Sequence, residues 1–126
     1  MNINELNHVA IHVEDVARSC DFYRDILRLE SIPRPAFDFS GTWFRLGKYQ
    51  ELHIIAGRTD PVFGQNRGTH FALLVDDLDR WEQHLQSLNV ERMPRKLRPD
   101  GAEQIFFSDP DGHCIELCTA PPAATP

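Results

Sequence analysis

The sequence predicts an α+β fold made of two βαβββ modules in tandem. Three observations predict it. Residues 69–78 (THFALLVDDL) repeat residues 7–16 (NHVAIHVEDV), so that His70 matches His8, Ala72 matches Ala10, Val75 matches Val13 and Asp77 matches Asp15. Similarity at so long a period marks a repeated supersecondary unit. In each copy the apolar residues then switch from period two to helical spacing, as a strand followed by a helix requires. Finally, Leu52-His53-Ile54 matches Ile115-Glu116-Leu117, which places one polar residue at the same point of a late apolar strand in each copy.

The elements follow in order. Residues 6–13 alternate, with His8, Ala10 and His12 on one face and Val9, Ile11 and Val13 on the other. Glu14 and Asp15 open a helix, because acidic side chains are favourable near its positive end, and Val16, Cys20, Tyr23, Ile26 and Leu27 carry it to about residue 29. A short strand over 29–33, a proline-rich loop, and strands over 42–46 and 51–56 complete a first module spanning about 4–57. Residues 58–67 form the linker. The second module, about 68–120, repeats the order: a strand over 70–75, then a helix over 78–88 with Leu78, Trp81, Leu85 and Leu88 on one face. A short strand over 90–93, a basic loop over 94–101, and strands over 104–108 and 114–118 follow. The tail, 121–126, is rich in Ala and Pro and is expected to fray.

Composition bounds the function. The chain has 126 residues, a single-domain length, and two half-modules of that size are expected to share a core or pair across a dimer. The net charge of −6 argues against a nucleic-acid surface. No apolar run approaches the ~20 residues of a membrane span, and the polar N-terminus lacks a signal peptide. Cys20, Cys114 and Cys118 form no CxxC pattern and read as reduced thiols of a cytoplasmic protein.

The repeat singles out four polar residues among apolar neighbours: His8 and His53 in the first module, His70 and Glu116 in the second. A lone strand histidine is more often merely hydrogen-bonded. Four at matched places are another matter, since a polar residue in an apolar strand is costly unless paired or metal-bound. Three imidazoles and a carboxylate suit a divalent ion such as Zn, Ni, Mn, Fe or Co, with a position left for water or substrate. Trp43 and Phe106, each ten residues before the late polar residue of its module, are expected to face a substrate cavity. Arg45 shares the Trp43 parity and is a candidate for holding a substrate anion, as is the loop 92–98. His12 shares a face with His8 and is expected to line the cavity, whereas His84 and His113 read as surface residues.

The first strand, the Phe22-Tyr23-Arg24-Asp25-Ile26-Leu27 run and the stretch from Phe107 through Asp109-Pro110-Asp111-Gly112 to Glu116-Leu117 together resemble the vicinal oxygen chelate superfamily. It includes glyoxalase I, fosfomycin-resistance thiol transferases, bleomycin-binding proteins and extradiol dioxygenases. The resemblance covers nearly the whole chain. It implies paired βαβββ modules forming a half-open, barrel-like sheet around a cavity, completion as a homodimer, and a metal held by His8, His53, His70 and Glu116. It also implies a Lewis-acid metal that holds two adjacent oxygens of a small substrate, with Glu116 moving the proton. Phe106 stands where dioxygenases and fosfomycin transferases commonly have tyrosine, and no arginine follows Glu116. The resemblance is therefore nearer to glyoxalase I, a lactoylglutathione-lyase-like lyase or isomerase, although His53 replaces its usual Glu or Gln. The alternatives are a drug-binding resistance protein without catalysis and an Fe(II) ring-cleaving dioxygenase.

Overall fold

The computed structural model describes residues 1–123. The element order is β1 (His8–His12), α1 (Val16–Asp25), β2 (Ser31–Ile32), β3 (Gly41–Leu46), β4 (Gln50–Ile55), β5 (His70–Leu74), α2 (Leu78–Ser87), β6 (Lys96–Leu97), β7 (Glu103–Ser108) and β8 (Cys114–Cys118). The chain divides into two compact units, the first ending at Pro61 and the second starting at Val62. The α+β class and the twofold βαβββ order match the expectation.

Each unit is a four-stranded mixed sheet, ordered β1-β4-β3-β2 in the first and β5-β8-β7-β6 in the second. Neither sheet closes on itself. The late strand is central in both: β4 pairs in parallel with β1 and antiparallel with β3, and β8 does the same with β5 and β7. This connectivity leaves β1 and β5 with one hydrogen-bonded neighbour each among the described residues.

Local chemistry explains the repeated boundaries. Asp15 and Asp77 are the N-caps of α1 and α2, and their carboxylates accept from the backbone N–H groups of Arg18 and Arg80 at 3.1 and 3.0 Å. Such a cap satisfies a donor that the first turn would otherwise leave orphaned. Both helices then stop at a residue in the left-handed conformation, Arg28 (φ 58°) and Asn89 (φ 54°). The helices are consequently shorter than the apolar spacing suggested.

The second strand of the second module is a correction. Residues 90–93 form only an isolated bridge, Arg92 to Phe107, and the strand lies at Lys96–Leu97 instead. Val90 donates its N–H to Leu85 O as part of the helix stop, and Pro94 has no N–H to extend a ladder. Residues 124–126 of the tail lie outside the described part.

In the first unit the sheet face toward α1 buries Ile11, Phe44, Leu52 and Ile54 with Phe22 and Tyr23. Ser19, on the same helix, is also buried. In the second, Ile105, Phe107, Ile115 and Leu117 are buried with Leu78 and Leu85 of α2. Each fully buried Leu or Ile contributes about 1.5–3 kcal/mol. The opposite face of each sheet carries the polar residues singled out above. No helix among the described residues is long and apolar enough to cross a membrane.

Candidate metal centre

In the first unit, strand register sets His8 beside Glu51, Ala10 beside His53, and His53 beside Trp43. His8, His53 and Trp43 therefore share the face away from α1. The His53 ring is stacked from β1 by His8 (centroids 4.1 Å, planes 17° apart) and from β3 by Trp43 (3.9 Å, 2°).

In the second unit, Ala72 lies beside Glu116, Glu116 beside Phe106, and His70 beside Cys114. His53 and Glu116 thus occupy equivalent lattice points, each on the central strand opposite an alanine and an aromatic residue. Glu116 is only 4% exposed. Its Oε1 accepts from Gln104 Nε2 at 3.1 Å and lies 3.5 Å from His70 Nε2. Phe106 stands edge-on to the His70 ring at 5.5 Å.

The hydrogen bonds identify which ring nitrogens carry lone pairs. His8 Nδ1 lies 2.8 Å from Asn7 Oδ1, and His70 Nδ1 lies 3.2 Å from Gly68 O. Both oxygens can only accept, so in each ring Nδ1 is the donor and Nε2 is left as a ligand atom. Orientation of a ligating imidazole through its other N–H is the usual arrangement around a metal. In His53 the order is reversed. Nε2 donates to Glu51 Oε1 at 3.0 Å, which leaves Nδ1 with the lone pair.

The spacing of these donors bears on the ion they would hold. Two ligand atoms each ~2.0–2.2 Å from one tetrahedral ion lie about 3.3–3.6 Å from each other. The 3.5 Å between His70 Nε2 and Glu116 Oε1 falls within that span. A buried carboxylate also requires compensation, which a cation would complete. Among the described residues no group of three or more His, Cys, Asp or Glu is arranged to hold a metal, so the donors occur as pairs. Burial first, and then the Glu116 charge, push the Cys114 and Cys118 thiols up. They remain protonated at neutral pH and are poor ligands or nucleophiles.

The remaining candidates are placed as follows. Arg45 Nη1 is 3.8 Å from Glu51 Oε2, so its charge is already partly matched. His12 keeps its parity with His8, but its Nε2 is 2.7 Å from the Ala56 carbonyl, which gives it a backbone partner. Trp43 is committed to the ring stack on His53. Phe106 borders a cavity of ≈ 650 Å³ in the second unit, together with Met93, Cys114, Asn66 and Arg92. His84 and His113 are half-buried rather than at the surface, with the His84 ring edge-on to Trp81. Lys96 is the member of the basic loop closest to the expected role, with Nζ 5.8 Å above the Phe106 ring.

Sequence reasoning missed Glu51 and Gln104, the side chains that engage His53 and Glu116. The signal was available: Glu51 shares His53's strand parity, and Gln104 shares that of Phe106.

Residues 5–117 match the sequence profile of the Glyoxalase/Bleomycin resistance protein/Dioxygenase superfamily. The metallothiol transferase FosB of Staphylococcus epidermidis is 34% identical over 128 residues, covering 94% of this chain and 84% of the relative. Glyoxylase I 4 of Arabidopsis thaliana is 25% identical over 126 residues, covering 94% and 72%. A crystal structure from Bacillus anthracis, described as a glyoxalase family protein, superposes with a TM-score of 0.81 at 27% identity over 94% of this chain and 97% of the other.

Proposed function

This chain belongs to the Glyoxalase/Bleomycin resistance protein/Dioxygenase superfamily, and we propose that within it the protein is a divalent-metal-dependent lyase or isomerase of the glyoxalase I kind. Its substrate is a small molecule with adjacent oxygens. The ligands are His8, His53, His70 and Glu116. The observation that carries this reading is the His70–Glu116 pair: a buried carboxylate oxygen and an imidazole lone pair at the spacing two donors of one ion adopt.

When bound, the metal supplies Lewis acidity to the substrate oxygens. The chain supplies the rest. Glu116 is the one carboxylate of the set, and as a general base at Oε1 or Oε2 it takes a proton from the carbon next to a substrate carbonyl and returns it to the neighbouring carbon. Gln104 holds Oε1 and so fixes the direction in which the carboxylate faces. Phe106, 4% exposed beside Glu116, excludes water from that proton. Trp43 orients His53 by stacking, and Arg45, 3.8 Å from the Glu51 carboxylate that holds His53, is the cation for a substrate anion.

Each unit offers two donors, fewer than the three or four protein ligands a catalytic ion takes. A full set therefore draws on both kinds of pair. The one-sided edges of β1 and β5 favour a homodimer, because an open strand edge is a ready surface for a second chain. A monomer by sedimentation at micromolar concentration, with metal retained, would remove the dimer from the proposal.

A second reading is a metallothiol transferase, favoured by the 34% identity to FosB. Metal analysis of the purified protein, followed by turnover of a hemithioacetal against fosfomycin plus a thiol, separates the two. Metal-dependent isomerisation of the hemithioacetal supports the first. Thiol addition to fosfomycin with no isomerisation overturns it. A protein that binds no divalent ion overturns both.

A further inference from the structure

The ring stack of the first unit does not end at Trp43. Phe37 lies 6.1 Å from Trp43, and Phe39 stacks on Phe37 at 5.0 Å with planes 22° apart. Arg34 caps both rings, its guanidinium carbon 4.9 Å from the Phe37 centroid and 5.0 Å from that of Phe39. His8, His53, Trp43, Phe37 and Phe39 thus form one continuous series of rings. It runs from a proposed metal ligand out along the loop 33–40.

Two features argue that this loop is built rather than incidental. Arg34 Nη2 donates to the Phe39 carbonyl at 2.7 Å, which pins the loop to its own start. Gly41 opens β3 where a Cβ would collide with the Ile54 carbonyl and would lie 3.2 Å from Arg34 Nη2. The absence of a side chain at Gly41 therefore lets the guanidinium reach its place over the rings. Yet Phe37 and Phe39 are 44% and 43% exposed. Rings held this firmly and left this open present preformed π surface, which costs a ligand little ordering on binding.

We propose that Phe37 and Phe39, held by Arg34 and continuous with Trp43 and His53, form a subsite for a planar, unsaturated ring carried by the substrate. This assigns the substrate class as an aromatic compound whose ring adjoins its two neighbouring oxygens. The inference rests on the reading of His53 as part of the metal centre. Stacked and edge-to-face ring pairs add an attraction beyond area burial that a saturated ring of equal size lacks.

Mandelate and hexahydromandelate test this, because they carry the same hydroxyl and carboxylate oxygens and differ only in ring planarity. Each is titrated calorimetrically into the protein, with and without Mn²⁺. We expect mandelate to bind about 2- to 10-fold more tightly, the range expected for one ring pair. The preference should fall to unity in Phe37→Leu/Phe39→Leu, which keeps apolar bulk at two exposed positions. Hexahydromandelate affinity should not change in that variant. Equal affinities in the parent, no binding of mandelate at millimolar concentration, or a preference that survives the double substitution overturns the subsite. So does a double variant that shifts dimer dissociation but not ligand preference, since the rings would then face a second copy. A ring preference that persists while Mn²⁺ strengthens neither acid upholds the subsite and discards the metal assignment.

Discussion

The two modules share one lattice and use it differently. At the central-strand position the first has a histidine stacked between two rings, and the second has a buried carboxylate held by an amide. The loop before the third strand of each module differs as well. In the first module it spans eight residues, 33–40, and carries Phe37 and Phe39; in the second it spans five, 98–102, and is closed by Arg98 on Asp100. Duplication preserved what the backbone needs, namely the caps, helix stops and register. Divergence fell on the side chains facing away from the helices. Aromatic stacking suits a neutral donor, whereas a charged donor requires hydrogen bonds and a partner cation.

The largest test of this contrast is chemical. Glu116→Gln should retain much of the metal, because an amide oxygen still coordinates, yet turnover should fall on the order of 10²–10⁴-fold with the loss of a positioned base. His53→Gln should alter metal affinity or preference far more than the chemical step. Metal content by mass spectrometry and kcat by stopped assay read the two apart. A metal-replete Glu116→Gln that turns over like the parent, beside a dead His53→Gln, would transfer the base to the first module.

A smaller effect is expected one residue removed from the ligands. Loss of a partner that orients a ligand typically weakens metal binding about 10–100-fold. Gln104→Leu should sit at the upper end, because it strands a buried acceptor, and Glu51→Leu at the lower, because His53 keeps its two stacked neighbours. Equal losses in competition with a chelator would show that burial is not what distinguishes the modules.

Smaller still, Asp15→Ala and Asp77→Ala should each cost about 1 kcal/mol of stability, since both remove an N-cap of the same geometry. Thermal or urea denaturation checks the equality. The last contrast is confined to the second module's tight turn. The Arg98 guanidinium hydrogen-bonded to Asp100 holds its carboxyl down to about 2. A depressed carboxyl stabilises the fold above its unfolded value of 3.8, and that contribution is lost as pH falls from there through about 2. The parent should therefore be more stable than Asp100→Asn at neutral pH, and that advantage should shrink as pH falls from 3.8 and vanish below about 2, as pH-dependent urea denaturation reads.

The sequence revealed the fold wherever the repeat was visible. β1 and β5 were legible from His8 and His70, the helix starts from Asp15 and Asp77, and β8 from its flanking Asp-Pro-Asp-Gly turn. β6 was not, because Val90 and Met93 look more strand-like than Lys96 and Leu97, and propensity does not reveal that a helix stop has claimed the Val90 N–H. The equivalence of His53 and Glu116 could be read from the offset between the modules. The stack of His8, His53 and Trp43 could not, since it depends on which residues face each other across strands. Glu51 and Gln104 were overlooked for a related reason: each acts through a neighbour, and a polar residue on a polar face draws no attention alone.

The placement of β4 and β8 in the middle of their sheets also has a kinetic side. The β3–β4 hairpin closes across three residues, 47–49, while the parallel β1–β4 pair closes across residues 13–49. Long closures are entropically slower, so hairpins are expected to precede parallel pairing. A half-formed first module would then hold His53 and Trp43 but not yet His8, and a half-formed second would hold Glu116 and Phe106 but not yet His70. Each donor pair is completed by the last strand to dock, so a module would offer its pair only once finished and would lose it with the first strand to peel away.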